Sequence, residues 1–323
     1  MNNYFAKRIL QAAGTIVALS FVCFSLLALM PGDPVDAMLS SNPGMTSEDA
    51  ARLKAIFGLD QPITTRYYHW AKNTLQGDLG YSRQYRVPVW ELMAPRLLNT
   101  FILSMTALTL SLLIAIPLGV MSALKPGSKL DYFLNLFSFG GISIPSFWLG
   151  IVLIIIFSVK FPLLPAGGTT SVDLPDSSFF TMLKDRLGYL ILPVCSLSIM
   201  QIGRFSRFAR SAMIDTMRND FIRTAKAKGL SRTQVIWKHG FRNALLPLIT
   251  VVSLSLSGVF SGAVLTETVY AYQGVGKLVY DSIMANDYNV AMFAVLISIT
   301  MVLIMNTFAD IAYSFADPRI SFK

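Results

Sequence analysis

The chain has 323 residues, 54% of them hydrophobic and only 14% charged, and a formal net charge of +9. A soluble domain carries about a quarter charged residues, so the composition excludes an ordinary soluble protein and points to a bilayer. Two cysteines and two histidines indicate no disulfide framework and assemble no thiolate–imidazole metal cluster.

About 20 apolar residues are needed to cross a bilayer. Six stretches approach or exceed that length: Ile9 to Leu29, Leu98 to Leu124, Tyr132 to Val159, Leu187 to Ile202, Ala244 to Leu265 and Tyr288 to Tyr313. The expected fold class is therefore an all-α integral membrane protein with six transmembrane helices. The first stretch reads as a retained helix. Its apolar core exceeds the roughly 7–15 residues of a cleaved signal, and no small-x-small cleavage site follows. It breaks at Met30-Pro31-Gly32-Asp33-Pro34.

Residues 31–97 form the largest polar segment, too small and too poor in apolar residues for an independent core. Thr46 to Phe57 reads as a helix with Ser47 as cap and Glu48 and Asp49 in its first turn. Gly58-Leu59-Asp60-Gln61-Pro62 ends it. Ile63 to Leu75 is a second, amphipathic helix carrying Tyr67, Tyr68 and Trp70, and Gly77-Asp78-Leu79-Gly80 is a turn. The segment is either a cap on the membrane domain or a surface met by an external partner.

Pro117, Pro145 and Pro193 sit inside spans, where neighbouring helices and hydroxyls compensate the lost backbone bonds. Gly140, Gly141 and Pro145 suggest a bend in the third span, at a moving helix or as a packing kink. Cys23 and Cys195 fall within spans and read as unpaired core residues.

Between the fourth and fifth spans lies a basic, glycine-punctuated segment. Arg223, Thr224, Ala225, Lys226, Ala227 and Lys228 suit a short helix. Gly229 is placed to end it in a left-handed turn, with Leu230 following. Ser231 opens a second helix with Gln234 three residues on, as in a capping box. The result is a helix–turn–helix elbow that something else must read, or a patch anchored to anionic lipid head groups.

In the fifth span Thr250, Ser253, Ser257 and Ser261 share one helical face, and Gly258 and Gly262 add a GxxxG spacing. The face is either a hydroxyl-lined path or a tight helix–helix interface, and the spacing favours the interface. In the sixth span Asn306 and Asp310 are one turn apart. An intramembrane carboxylate is costly and often functional, but Asp310 lies about a turn from the inner end, where an interface near the head groups is the stronger reading.

Lys and Arg set the orientation. With the N-terminus inside, segments 1–8, 125–131, 203–243 and 314–323 hold 16 of the 27 basic residues and four acids, Asp131, Asp215, Asp220 and Asp317. The outer segments hold 11 basic residues and 13 acids. The positive-inside bias therefore puts both termini in the cytoplasm. Topology alone explains the net charge, so no nucleic-acid partner is implied.

Catalytic motifs are missing from the sequence. His69 and His239 fall on opposite sides of the membrane, and there is neither a Gly-x-Ser-x-Gly elbow nor a His-Glu-x-x-His pair. Gly274-Val275-Gly276-Lys277 lacks the remaining residues of a phosphate loop and reads as a turn. The expectation is a non-enzyme that binds no nucleotide or other cofactor itself.

Several motifs in order resemble one family. They are Lys7-Arg8-Ile9, Pro31-Gly32-Asp33-Pro34, Gly58-Leu59-Asp60-Gln61-Pro62, Gly77-Asp78-Leu79-Gly80-Tyr81-Ser82, and Phe221-Ile222-Arg223-Thr224-Ala225 running on to Ala227-Lys228-Gly229. Arg242-Asn243-Ala244-Leu245-Leu246-Pro247, Glu267-Thr268-Val269-Tyr270, Gly274-Val275-Gly276 and Asp317-Pro318-Arg319-Ile320 follow. Together, nearly end to end, they resemble the permease subunit of bacterial ABC importers in the dipeptide, oligopeptide and nickel branch, most like the first permease of the pair. Arg223-Thr224-Ala225 takes the Glu-Ala-Ala position of the wider class and Gly229 its glycine. His239 departs from the usual Ile, and Leu246-Pro247 lies five residues beyond the Leu-Pro position of the wider class, as in the peptide branch's variant.

The resemblance implies an inner-membrane subunit paired with a second, similar permease. An external substrate-binding protein would feed it, and two cytoplasmic ATPases holding ATP and Mg would drive it. Residues 223–230 would dock on an ATPase and couple its closure to alternating access. The implied organisation is residues 1–30 as the first helix, 31–97 as a periplasmic helical segment, 98–313 as a five-helix core with the coupling segment 203–243, and 314–323 as a cytoplasmic tail. Peptides are the favoured cargo, since the spans offer no cluster of thiol, imidazole and carboxylate ligands for bare nickel. The alternative is an ion-gradient-driven transporter, which would show internal repeats and midplane charges that this sequence lacks.

Overall fold

Runs of Leu, Ile, Phe and Val give this chain its helices, and Pro, Gly and Ser decide where most of them stop. The computed structural model describes residues 2–29, 35, 46–56, 58–171, 178–260 and 263–316, except for the side chains of 2–8, 47, 50, 56, 257 and 310–316. The described residues are nearly all helical, with one isolated bridge between Tyr81 and Pro88. Among the described residues five helices are long and apolar enough to cross a membrane, or six if one bent pair counts as a single span. By contacts they fall into two compact units, one of Met1–Leu97 with Leu278–Thr300, the other of Leu98–Lys277 with Met301–Ser321.

The first unit begins with α1 (Asn2–Ala28). Its apolar side chains Ile9, Leu10, Val17 and Leu26 are exposed, as lipid contact would require. Helix α2 (Ser47–Ile56) starts one residue later than expected. Thr46, and not Ser47, is its cap: the Thr46 hydroxyl accepts from the Asp49 amide at 3.2 Å, and the Asp49 carboxylate accepts from the Thr46 amide at 3.1 Å. Helix α3 (Ile63–Leu75) has the expected bounds. Its aromatic stripe packs on α1, with Tyr67 edge-on to Phe21 at 5.1 Å and its hydroxyl 2.8 Å from Ser20 Oγ.

The turn after α3 is tied to residues far along the chain. Asp287 Oδ2 accepts from Ser82 Oγ at 2.5 Å and from the Gln84 amide at 3.1 Å. Asn289 donates to the Tyr81 carbonyl, and Arg83 to the Ala285 carbonyl.

The second unit is organised by α7 (Phe179–Met217). At 39 residues it is about 58 Å long, far beyond the expected Leu187 to Ile202, which is only its apolar middle. Three apolar clusters follow one another along it. Leu103 and Ala107 of α4 (Val89–Leu124) pack with Leu190, Leu192, Val194 and Leu197. Next come Leu108, Ala115, Ile202 and Phe205, then Val120, Ala123, Met213 and Ile236. Close approach depends on small residues: a Cβ on Gly203 would lie 2.7 Å from the Ser138 carbonyl oxygen.

The expected third span is not one straight helix. Helix α5 (Lys129–Ser143) and α6 (Ser146–Ile154), which continues π-helically through Ile155–Lys160, meet at 96°. Pro145 explains the break. Its ring keeps Ile144 extended, at φ −87° and ψ 121°, and its missing amide suits a helix start. The expected fifth span also shifts. One continuous helix, α9 (Arg232–Phe260), contains a π-helical stretch at Val235–Phe241 and closes in a 3-10 turn at Gly258–Phe260. The elbow's second helix is therefore the first turn of that span, and Leu265 belongs to the short helix α10 (Val264–Val269). Helices α11 (Val275–Met284) and α12 (Tyr288–Ala316) are the last of the described elements.

Candidate functional site: the basic elbow and two buried carboxylates

Helix α8 (Asp220–Ala227) starts one turn after α7 ends. Ile222 and Ala225 are buried with Val235, and Met217 packs against them. The rest of the segment faces out: Phe221, Arg223, Thr224, Lys226, Ala227, Lys228, Gly229 and Leu230 are all exposed. Arg223 bonds Asp220 at 3.3 Å, an open pair that contributes little. A short helix pinned by three apolar side chains thus offers a positively charged outer face of fixed shape.

The turn that follows is specified bond by bond. Gly229 has φ +74°. The Leu230 amide donates to the Ala225 carbonyl at 3.4 Å and the Gly229 amide to Lys226 at 3.0 Å, which together form a Schellman closure. Ser231 and Gln234 then make the reciprocal capping box, at 3.4 and 3.1 Å.

The hydroxyl face of α9 is only partly described. Ser253 is buried, and Thr250 is half-buried with its hydroxyl on the Leu246 carbonyl at 3.4 Å. Asn306 is half-buried on α12. Ser261 and Gly262 lie outside the described residues, as do the side chains of Ser257 and Asp310 and the motifs at 31–34 and 317–320. A narrow cleft lies between Gly119, Asn135, Ser138, Ser206 and Arg207. No group of His, Cys, Asp and Glu among the described residues is placed to hold a metal ion.

Two of the buried carboxylates, Asp131 and Glu267, have partners that no local sequence rule predicts. Asp131, 4% exposed, takes Arg210 in a bidentate pair at 2.6 and 2.8 Å. It also accepts from the Ser122 hydroxyl, from the Gly127 amide at 2.9 Å and from Asn135 Nδ2 at 2.9 Å. The available signal was an acid in the first turn of a helix, inside a segment otherwise biased to Lys and Arg.

The second is Glu267, fully buried on α10. Thr100 Oγ1 donates to it at 2.9 Å and the Lys277 amide at 3.0 Å, while the Val275 amide donates to Thr100 at 2.8 Å. Gly274 lies so close that any Cβ there would overlap the carboxyl group. The Gly-Val-Gly turn is therefore a cradle for a buried acid that caps α11. Burial pushes the Glu267 carboxyl above the usual glutamate range, and the Lys277 amide and the Thr100 hydroxyl pull against that shift.

Comparison with known proteins agrees with this architecture. Residues 115–322 match the family described as the binding-protein-dependent transport system inner membrane component, and residues 1–112 match the N-terminal family of the same membrane components. The chain is 37% identical over its full length to the full length of the oligopeptide transport system permease protein AppB of Bacillus subtilis. It is 34% identical, again over 100% of both chains, to the dipeptide transport system permease protein DppB of Escherichia coli K12. A di/tripeptide transport system permease protein of Pseudomonas aeruginosa is 36% identical over 99% of each chain. In fold, the chain resembles one from an inward-facing structure of the MetNI methionine ABC transporter, with TM-score 0.55 and 15% identity over 71% of this chain and 98% of that one. These end-to-end matches make the chain a member of the inner membrane component family of binding-protein-dependent transport systems.

Proposed function

We propose that this chain is the permease subunit of an ATP-driven importer that carries di- and oligopeptides from the periplasm into the cytoplasm by alternating access. The observation that carries the proposal is the elbow. Its inner side is fixed by Ile222, Ala225 and Val235, its two helices are joined by a specified turn, and Arg223, Lys226 and Lys228 stand on its open side. A docked rigid helix transmits force where a flexible loop would not.

Residues 223–230 are assigned to the ATPase contact, with ATP and Mg held by two partner ATPases and none by this chain. A second, similar permease completes the pore, and a periplasmic binding protein delivers the peptide to the outer face. The assigned topology is an inner-membrane protein with both termini in the cytoplasm, residues 31–97 outside, the core at 98–313 and the tail 314–323 inside. The positive-inside bias supports it. Thr250, Ser253, Ser257, Ser261, Asn306 and Asp310 are assigned to the faces that move against the partner helices along the path. Peptide names among the full-length relatives support the cargo.

The test is ATP hydrolysis and peptide uptake by the whole complex in liposomes, with and without Gly229→Glu. The wild type is expected to be stimulated by loaded binding protein. The variant is expected to assemble yet lose both stimulation and uptake. Unchanged stimulation would remove residues 223–230 from the motor contact. Uptake driven by an ion gradient without ATP would overturn the importer reading itself.

A further inference from the structure

A rigid elbow moves whatever is fastened to the helix that leads into it. That helix is α7, and Arg210 lies about two turns before its end at Met217. The Arg210 guanidinium holds Asp131 through two bonds, which fixes orientation as well as distance. Asp131 is also held by Ser122 at the end of α4, by Gly127 in the turn and by Asn135 one turn along α5. One carboxylate therefore ties three chain segments to the helix above the elbow.

The same contact continues along α5. Ser138 Oγ lies 2.9 Å from Ser206 Oγ, and Gly203 brings the two backbones within side-chain-free distance. At its far end α5 breaks by 96° into α6. Helix α5 is thus fastened to α7 over its first turns and has a built-in corner at the other end.

We propose that Asp131 and Arg210 are a positioning pair: they make α5 travel with α7, so that elbow motion reaches the corner at Ser143–Ser146. Neither residue touches the cargo or ATP. The inference rests on the importer reading above. It is separated from a role in folding alone by a ratio, uptake per ATP hydrolysed, that a purely structural pair would leave unchanged.

The measurement is peptide accumulated per ATP hydrolysed by the whole complex in liposomes with the peptide-loaded binding protein. Asp131→Asn removes the charge and keeps the shape. Arg210→Lys keeps the charge and removes the two-bond fork. The assembled variants are expected to hydrolyse ATP at near wild-type rate while uptake per ATP falls at least about tenfold, within the usual range of coupling energies. Combining Asp131→Asn with Arg210→Gln is expected to be no worse than either alone, since one contact is lost in each case. Ser122→Ala, which leaves the fork intact, is expected to keep most of the coupling.

A wild-type ratio in either assembled variant would overturn the proposal, as would losses that add. If Asp131→Asn does not assemble, Arg210→Lys decides. If neither assembles, the pair serves folding only and the proposal falls. A wild-type complex that accumulates no peptide with ATP would instead refute the importer reading.

Discussion

Ser82 and Asp287, 205 positions apart, share a buried hydrogen bond of 2.5 Å that closes the turn after α3 onto the start of α12. The same Ser82 oxygen accepts from the Tyr85 amide at 2.9 Å, so one hydroxyl orders a whole turn. Replacing it leaves a buried carboxylate short of a donor, at about 1–3 kcal/mol. Ser82→Ala is expected to speed amide exchange at both 80–87 and 285–291 in lipid nanodiscs. Faster exchange at only one of these stretches would contradict the tie.

At Gly229 the left-handed backbone is the whole constraint, because a Cβ there meets nothing within 4 Å. Gly229→Ala is therefore expected to cost about 1–2 kcal/mol of local turn stability without a clash. It is expected to loosen protease resistance at residues 223–232 while the complex still assembles and transports at a reduced rate. Full wild-type protection and rate would show that the turn's geometry carries no weight.

Gly203 offers the opposite case. A side chain there runs into the backbone of α5, so Gly203→Val is expected to force the helices apart, at roughly 1–3 kcal/mol from overpacking. Gly14 on α1 has open space around it, and Gly14→Ala is expected to be neutral or mildly stabilising. Thermal unfolding of the two variants in detergent, side by side, checks the contrast.

Glu267 gives a pH signature. Its carboxyl is shifted up in the folded protein, chiefly by burial, so the folded state binds that proton more tightly than the unfolded state does. Its contribution is fully present below the unfolded glutamate value and is lost as pH rises through the raised one. Glu267→Gln has no proton to lose. The stability difference, wild type minus Glu267→Gln, is therefore expected to be greatest in acid and to shrink as pH rises through that window. A difference that grows with pH would reverse the assignment.

The elbow was legible in the sequence because its rules are local. A left-handed Gly229 after a short helix, a Ser231–Gln234 box and the Ile63–Leu75 boundaries all depend on bonds spanning at most five residues, and the structure has each of them. The bend near Pro145 was legible as a bend for the same reason. Its 96° angle was not, nor was the continuation of the elbow's second helix into α9, because neighbouring helices settle both.

What the tertiary structure alone decided is the partner of each buried polar group. Asp131 and Arg210 counted only as charges on the inner side, and Glu267 and Gly274 only as motif letters. Their roles come from contacts 79 and 167 positions long, Arg210 to Asp131 and Thr100 to Glu267. The sequence by itself determined a helical membrane protein with a shaped basic elbow, because hydrophobic length and caps are written along one segment at a time. Which carboxylate meets which donor depends on how those segments pack, since burial makes an unpaired polar group costly only after the helices have come together.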